Sequence, residues 1–227
     1  MQLHFHAGQQ SAWDSLARFV AVVAGTQGGK TSFLPHWLYR EIQKRGPGDY
    51  LFVTPTFPLL ELKALPEFLN VFSRWLQLGR YVASPRRVFR FSDAGAQRTF
   101  GKRFDPRTSP ETRVIFGYAT DPESLESATA KAAVLDEAGQ NKFRVGSWEA
   151  VLRRLSLAQG RVLITTSVYA LNWLKSRIYD PFKAGDKDFD VIQFESVMNP
   201  NFPQAEFERA RKDLPAWKFN MQYRGMF

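Results

Sequence analysis

Short runs of apolar and β-branched residues recur along the chain, and segments with a helical repeat of apolar positions separate them. The runs predict six buried strands, at 18–24, 50–54, 113–118, 132–136, 161–166 and 191–195. A weaker run at 88–91 predicts a small additional strand. Because strands that alternate with helices build parallel sheets, the pattern predicts an α/β fold with a central, mostly parallel β-sheet flanked by helices.

Three segments predict helices. After Thr31, five apolar residues recur at helical spacing before a Gly-Pro-Gly turn: Phe33, Leu34, Trp37, Leu38 and Ile42. The segment 57–78 has the same period but contains Pro66, so we expect two helices there. A third helix is predicted to begin at Ser147 as its N-cap and to end near Gly160. Since no repeat, low-complexity segment or linker interrupts the pattern, residues 1–227 are expected to form one domain.

Composition excludes several classes of protein. The 227 residues include no cysteine, which rules out disulfides, zinc-thiolate sites, iron–sulfur clusters and a cysteine nucleophile. The longest apolar run, 19–24, is too short to span a bilayer, and the amino terminus lacks the pattern of a signal peptide. We therefore expect a protein of a reducing intracellular compartment, with no membrane partner.

The charge is strongly basic and concentrated in one segment. The chain has 31 basic and 22 acidic side chains, a net charge of +9. Between Arg74 and Arg113 there are ten basic and three acidic residues, with several aromatic residues among them. This basic segment predicts either a nucleic-acid surface, where aromatic rings stack on bases, or a solvated face whose aromatic side chains are buried.

The most informative motif is the segment 24–31, Ala-Gly-Thr-Gln-Gly-Gly-Lys-Thr, which lies between a predicted strand and a predicted helix. In this context it resembles a phosphate-binding loop, although the strict pattern has glycine where Ala24 stands. Lys30 is predicted to reach the β and γ phosphates, and the Thr31 hydroxyl to bind Mg²⁺. The candidate nucleotide-binding residues are Gly25, Thr26, Gln27, Gly28, Gly29, Lys30 and Thr31. The alternative is a glycine-rich turn with a chance Gly-Lys-Thr.

Two later strands end in polar side chains. Asp136 and Glu137 follow an apolar strand, where Asp136 is predicted to hold Mg²⁺ through its water shell and Glu137 to polarise the attacking water. Thr165, Thr166 and Ser167 end the next strand and are predicted to sense the γ-phosphate. Taken alone, the acids could cap a helix and the hydroxyls could form a turn.

A glutamine precedes the first predicted strand. The amide of Gln9 offers a donor and an acceptor, enough to recognise an adenine edge, and Phe5 or His6 could pack on the base. The three histidines are not spaced as a metal site, so zinc is not expected.

In this order, these motifs resemble the ATPase domain of the large terminase subunit, the DNA-packaging motor of tailed bacteriophages. The resemblance covers nearly the whole chain: Gln9, a short Walker A loop at 25–31, Walker B at 135–137, a coupling motif at 165–167, and the segments 121–127, 171–173 and 199–225. It implies a P-loop NTPase of the ASCE, RecA-like class, with Glu137 and Lys30 as catalytic residues.

The resemblance also implies a function and partners. The activity would be Mg²⁺-dependent ATP hydrolysis that moves double-stranded viral DNA into the procapsid, with ATP and Mg²⁺ as cofactors. The partners would be double-stranded DNA, a portal protein, a small terminase subunit and other copies of the chain. Those copies would form a ring of about five subunits in the host cell cytoplasm, although the isolated domain could be monomeric.

Two departures from the family pattern concern arginines. Many members have arginine where this chain has Thr26 and again where it has Glu126, and either arginine could neutralise charge in the transition state. Arg98, Arg103 and Arg107 are candidates, by charge density, for an arginine finger or for contacts with DNA.

Two other functions remain open from the residues. A superfamily 2 helicase-like ATPase also carries Asp-Glu in Walker B, although it needs a second RecA-like domain for which 227 residues leave no room. The other open function is a P-loop module that binds DNA without hydrolysing a nucleotide. Large terminases continue into a ribonuclease H-like nuclease, so we expect a truncated piece of a longer protein without nuclease activity.

Overall fold

A computed structural model describes residues 3–121, 125, 129–169 and 172–226. Eight strands form one sheet in the order β3-β4-β5-β2-β6-β7-β1-β8. Their bounds are β1 Phe19–Ala24, β2 Asp49–Thr54, β3 Gly79–Val82, β4 Val88–Phe91, β5 Arg113–Tyr118, β6 Ala130–Leu135, β7 Arg161–Thr166 and β8 Phe189–Phe194. The six strands from β5 to β8 across the sheet are parallel, and the β3–β4 hairpin adds an antiparallel edge.

Helices cover both faces of the sheet. Their bounds are α1 Ala7–Asp14, α2 Lys30–Arg45, α3 Phe57–Leu59, α4 Leu65–Leu69, α5 Asp93–Phe100, α6 Val145–Leu155, α7 Asp180–Lys183, α8 Gln204–Asp213 and α9 Ala216–Tyr223. One face of β1, through Val20 and Val22, packs against α2 and the helical segment 57–75. The other face, through Phe19 and Ala21, packs against α6. Helices α8 and α9 form a small separate core around Phe207 and Phe219.

The structure confirms the predicted fold class and all seven predicted strands, with ends that shift by at most two residues. Every strand residue of β1 is buried, which explains why its sequence is an unbroken apolar run. The helix after the phosphate-loop motif is also confirmed. No sequence signal identified β3, α1, α5, α8 or α9.

Three local predictions were wrong. Pro66 does not divide the segment 57–75 into two helices, because a wide π-helical turn, Leu60–Ala64, precedes it. In that turn the N–H of Leu65 donates to the carbonyl of Leu60, and the wider spacing accommodates the proline ring. Ser147 is not an N-cap: α6 begins at Val145, and the Ser147 hydroxyl donates to the carbonyl of Ala119. The same helix ends at Leu155, before the predicted stop near Gly160.

The topology determines where the predicted motifs meet. Because parallel strands place their carboxyl ends at one edge of the sheet, the residues after β1, β2, β6 and β7 lie together. Strand β7 lies between β1 and β6, so the hydroxyls at its end lie between the glycine-rich loop and the two acids. Within the ranges described, no helix is long and apolar enough to cross a membrane.

Candidate nucleotide site

The glycine-rich loop connects β1 to the amino end of α2. Two positions depend on glycine: a Cβ on Gly25 would lie 2.1 Å from the carbonyl oxygen of Tyr223, and Gly29 has a φ of 78°. Gln27 also adopts a positive φ, 55°, which is unusual for a residue with a side chain. The 16-residue helix α2 presents its amino terminus, with its partial positive charge, at the end of this loop.

The loop is held from the amino-terminal side by α1. Gln9 Nε2 donates to the carbonyl of Gly29 at 2.9 Å, and His6 Nε2 lies 3.1 Å from the carbonyl of Gly28. His6 also caps α1, since its Nδ1 accepts from the N–H of Gln9, and burial lowers the pKa of its imidazole. The His6 ring therefore contacts the loop, and packs against the ring of Phe194 at 4.8 Å between centroids, rather than standing free for a base.

Recognition of adenine by Gln9 stays a prediction, whereas packing of Phe5 on a base is not supported. The amide nitrogen of Gln9 is used by the loop, so recognition of adenine would fall to its remaining groups and stays a prediction. Phe5 packs into the core against Trp13 and Phe33, at 5.0 and 5.1 Å between ring centroids. Its predicted packing on a base has no support in this arrangement, because the ring is already used to cover these two core side chains.

The loop is held from the carboxyl-terminal side by the segment that follows β8. Ser196 Oγ donates to the carbonyl of Thr26 at 2.6 Å, and Asn199 Nδ2 donates to the carbonyl of Gln27 at 2.7 Å. The N–H of Thr26 donates to the carbonyl of Gln222, at the end of α9. The backbone of the loop is thus fixed on both sides before any ligand binds.

Lys30, the first residue of α2, points into the loop. Its Nζ donates to the carbonyls of Ala24 and Gly25, at 3.1 and 2.8 Å, and to Ser167 Oγ at 3.0 Å. Burial lowers the pKa of this lysine, and the charges of Glu137 and Asp136 oppose that effect. The ammonium is therefore desolvated and partnered mainly by neutral oxygens, a setting that favours an anionic ligand.

Asp136 receives two hydroxyls from opposite sides. Thr31 Oγ1 donates to its Oδ2 at 3.1 Å, and Thr165 Oγ1 donates to its Oδ1 at 2.8 Å. The carboxyl is buried, and burial together with the neighbouring Glu137 raises its pKa. A hydroxyl and a carboxylate are the hard oxygen ligands that Mg²⁺ prefers, so this pair fits the predicted metal. Among the residues described, no cluster of three His, Asp or Glu converges, so further ligands would come from the nucleotide and water.

Glu137 stands in an unusual backbone conformation, with a φ of 51°. Its Oε1 accepts from Lys63 Nζ at 3.3 Å, and its Oε2 accepts from the hydroxyl of Tyr169 at 2.8 Å. The N–H of Ser167 lies 3.5 Å from Oε2. Left-handed backbone at a residue other than glycine costs free energy and is concentrated at functional sites. Burial and the same carboxylate raise the pKa of Tyr169 to about 12, so its hydroxyl remains a donor.

The three hydroxyl residues at the carboxyl end of β7, Thr165, Thr166 and Ser167, connect the parts of the site. Thr165 binds Asp136 and Ser167 binds Lys30, as described above. Thr166 Oγ1 accepts from the N–H of Gly139 at 3.0 Å, which fixes the turn that follows Glu137. Asn172 Nδ2 donates to the carbonyl of Gly139 at 2.7 Å and holds the same turn from its other side.

A cavity of about 480 Å³ lies in front of the glycine-rich loop. Its walls are the loop with the start of α2 and, across from them, Lys63, Glu67, Glu137, Ser167 and Tyr169. A second cavity of about 470 Å³ adjoins it through Thr26, Ser167 and Tyr169 and is bounded by α9, where Trp217 is largely exposed. The first cavity is lined by the predicted phosphate-binding loop and by Thr31 and Glu137, whereas Asp136 is buried behind Thr31.

The candidate arginines lie elsewhere. Arg103 donates to the carbonyl of Gln43 near the carboxyl end of α2, about 20 Å along the helix from Lys30. Arg98 donates to the carbonyl of Leu76 at 2.5 Å, and Arg107 is exposed in a loop. An arginine finger from this set would therefore have to act on another subunit.

The aromatic residues of the basic segment are mostly structural. Phe89, Phe91 and Phe100 are buried in the core, as the alternative of a solvated basic face requires. Arg90 is paired with Glu111, at 2.5 Å, and Arg113 with Asp49, at 2.6 Å. Seven basic side chains of the segment are exposed with no ion pair among the described contacts: Arg74, Arg80, Arg86, Arg98, Lys102, Arg103 and Arg107. Of these, Arg98 and Arg103 bind main-chain carbonyls instead.

Some sequence predictions lie outside the described residues, namely most of the segment 121–127, including Glu126, and Leu171 of the 171–173 triplet. Other residues of the site were missed by the sequence analysis. Lys63 and Ser196 reach the acids or the loop through tertiary packing, and no motif marks them. Asn199 begins the segment 199–225 of the family resemblance, but its contact with the loop was not predicted. Tyr169 had one available signal, since it follows the predicted hydroxyl run by two positions.

Comparison with known proteins identifies the fold. No protein-family model matches the chain, and no curated protein matches it significantly. The large terminase ATPase domain of Thermus phage P74-26 superposes with a TM-score of 0.70 and 17% identity, covering 99% of this chain and 94% of that one. The large terminase of another thermophilic bacteriophage, in complex with ADP, gives a TM-score of 0.74 and 12% identity, covering 98% and 52%.

The same terminase in complex with ATP-γ-S gives a TM-score of 0.71 at 12% identity, covering 97% of this chain and 52% of that one. The chain thus spans about half the length of this nucleotide-bound terminase. Its fold is that of the large-terminase ATPase domain, a P-loop NTPase fold, as the order of the motifs predicted.

Proposed function

We propose that this protein is a Mg²⁺-dependent ATPase that drives double-stranded viral DNA into a procapsid. The observation that carries the proposal is that Lys30, Thr31 and Glu137 line one cavity at the carboxyl edge of the sheet. Asp136 is buried directly behind this wall, bonded to the Thr31 hydroxyl. Relatives with the same fold are described as large terminases, and two structures of one of them hold ADP or ATP-γ-S. These likenesses support a nucleotide as the ligand of the cavity.

The chain's own groups suggest how hydrolysis proceeds. The loop amides, the amino end of α2 and Lys30 would bind the β and γ phosphates. Thr31 and Asp136 would hold Mg²⁺, which when bound supplies positive charge at the phosphate oxygens. Glu137, fixed by Tyr169 at Oε2, would accept a hydrogen bond from the attacking water and take its proton. Ser167, which contacts Lys30, would register the loss of the γ-phosphate.

The partners follow from the same proposal. A packaging motor in the host cell cytoplasm would need four partners: double-stranded DNA, a portal protein, a small terminase subunit and other copies of the chain, in a ring of about five. Thr26 and Glu126 stand where many large terminases have arginine. The active site would therefore need positive charge from another residue. If a neighbouring copy supplies it, phosphate release per subunit should rise with protein concentration.

The test is phosphate release by the purified protein, with Mg²⁺ or with a chelator, and with or without linear double-stranded DNA. The proposal predicts release that requires Mg²⁺ and increases with DNA, and a Lys30→Ala variant without activity. DNA binding with no phosphate release would favour the non-hydrolysing DNA-binding module. Strand separation of a tailed duplex would favour the helicase-like ATPase, because a packaging motor moves the duplex intact.

A further inference from the structure

The cavity is lined by a positively charged side chain, Lys63, to which the sequence motifs give no role. Of the described residues that line it, two carry a positive charge, Lys30 and Lys63. Lys30 is buried and already bonded to the loop carbonyls and Ser167, so its position is fixed. Lys63 arises from a different part of the chain, the π-helical turn Leu60–Ala64 that follows β2.

The turn places the backbone of Lys63 firmly but leaves its side chain free to move. Leu60 and Ala64, on either side of it, are completely buried in the core beside α2. The Lys63 side chain itself is 49% exposed, whereas that of Glu137, which it contacts, is 7% exposed. Half-exposed ion pairs contribute little to stability, so this contact can be exchanged for another at small cost.

The contact occupies the oxygen that catalysis needs. Glu137 Oε2 is held by Tyr169 and by the N–H of Ser167, and Oε1 accepts from Lys63 Nζ at 3.3 Å. A water that is to be polarised by Glu137 competes with the lysine ammonium for Oε1. Release of Lys63 would make Oε1 available while Tyr169 still fixes the orientation of the carboxylate.

We propose that Lys63 is a finger residue supplied by the same subunit, which leaves Glu137 Oε1 on ATP binding and contacts the terminal phosphate. This inference rests on the proposed ATPase function. In the reaction, the water oxygen bonds to the γ-phosphorus, the water proton passes to Glu137, and the bond from the γ-phosphorus to the bridging oxygen breaks with its electron pair remaining on ADP. Lys63 forms no bond; it offsets the negative charge that develops on the phosphate oxygens.

The experiment compares Lys63→Ala and Lys63→Arg with the wild-type protein. We expect Lys63→Ala to lower kcat about 10²-fold, the usual cost of losing one charge-stabilising donor, with ADP affinity within about twofold of wild type. Affinity for ADP with aluminium fluoride and Mg²⁺, which imitates the transferring phosphate, should fall by a similar factor. Lys63→Arg should restore most of kcat, because it retains the charge.

Lys175→Ala is the matched control. Lys175 also lies in a π-helical turn, Lys175–Tyr179, and is half-exposed, and its Nζ pairs with Asp180 at 2.7 Å, away from the cavity. It should retain wild-type kcat, and melting temperatures should show that all variants are folded. An unchanged kcat in Lys63→Ala, or an equal loss in Lys63→Ala and Lys63→Arg, would overturn the inference while leaving the ATPase function intact. No phosphate release by the wild-type protein would overturn both.

Discussion

The hydroxyl of Thr31 donates a hydrogen bond to Oδ2 of Asp136 at 3.1 Å, although 105 positions separate the two residues in the chain. Thr31 lies in the first turn of α2, and Asp136 follows the last residue of β6. The contact joins the phosphate-loop motif to the acid motif, and Thr165, from the strand between them, binds the other oxygen of the same carboxylate. This arrangement is the basis of the proposed metal site.

The Thr31 hydroxyl should determine the requirement for Mg²⁺. We expect Thr31→Val to raise the Mg²⁺ concentration for half-maximal phosphate release about tenfold or more, because it removes one oxygen ligand and leaves Asp136 with one fewer donor. Thr31→Ser retains the hydroxyl and should behave nearly as wild type. Titrations of activity against Mg²⁺ measure both. Identical titrations for the Thr31→Val variant and the wild-type protein would argue against a metal role for this residue.

Gln9 should contribute to nucleotide binding mainly by holding the glycine-rich loop, and less by recognising the adenine base. Its Nε2 holds the carbonyl of Gly29, so Gln9→Ala should weaken the binding of ATP and GTP by the same factor. Losing one hydrogen bond of this kind corresponds to about 1 kcal/mol, or roughly fivefold in Kd. Binding titrations with the two nucleotides decide the matter. A selective loss of ATP affinity would instead assign adenine recognition to Gln9.

A buried ion-pair network near the amino ends of the parallel strands should contribute strongly to the free energy of unfolding. Glu41 is 1% exposed and pairs with Arg40, Arg45 and Arg161. Glu41→Ala should lower the free energy of unfolding by about 3 kcal/mol, because it leaves buried guanidinium groups without their counter-charge. Urea denaturation measures the change. The exposed Glu149, which lies 3.8 Å from Arg177, provides the control, with an expected change below about 1 kcal/mol.

The exposed part of the basic segment should contribute to DNA binding. Arg86 is exposed near the start of β4, at the same edge of the sheet as the cavity. Arg86→Ala should weaken DNA binding and reduce the slope of log affinity against log salt by about 1, because it removes one phosphate contact. Arg87, which lies over the ring of Phe57 at 4.2 Å, should combine a loss of packing with a loss of affinity.

Arg98 and Arg103 provide the contrast, since their guanidinium groups bind main-chain carbonyls. Replacing either with alanine should lower the melting temperature and leave the slope of log affinity against log salt nearly unchanged. A salt slope that Arg86→Ala and Arg87→Ala leave unchanged would identify the basic segment as a solvated face.

The sequence predicted the parts of the site that short motifs encode. The loop 25–31, Asp136 and Glu137 follow buried strands, and the hydroxyl residues 165–167 end one. Parallel strands place such residues at one edge of the sheet. Lys63 was not predicted, because it contacts Glu137 through long-range packing that no local pattern records. Tyr169 was also missed, although it follows the predicted hydroxyl run by two positions. Pro66 misled the prediction for a related reason: its effect depends on the width of the preceding turn, which the sequence does not show.

The central claim is that Glu137 activates water at a nucleotide-binding site. Its most direct test is Glu137→Gln, assayed side by side for equilibrium binding of ATP with Mg²⁺ and for phosphate release at saturating ATP. The amide preserves the shape of the side chain but cannot take the proton, so we predict retained ATP affinity with phosphate release reduced to background. The control Glu149→Gln should match wild type in both assays. Phosphate release by Glu137→Gln at the wild-type rate would contradict the account.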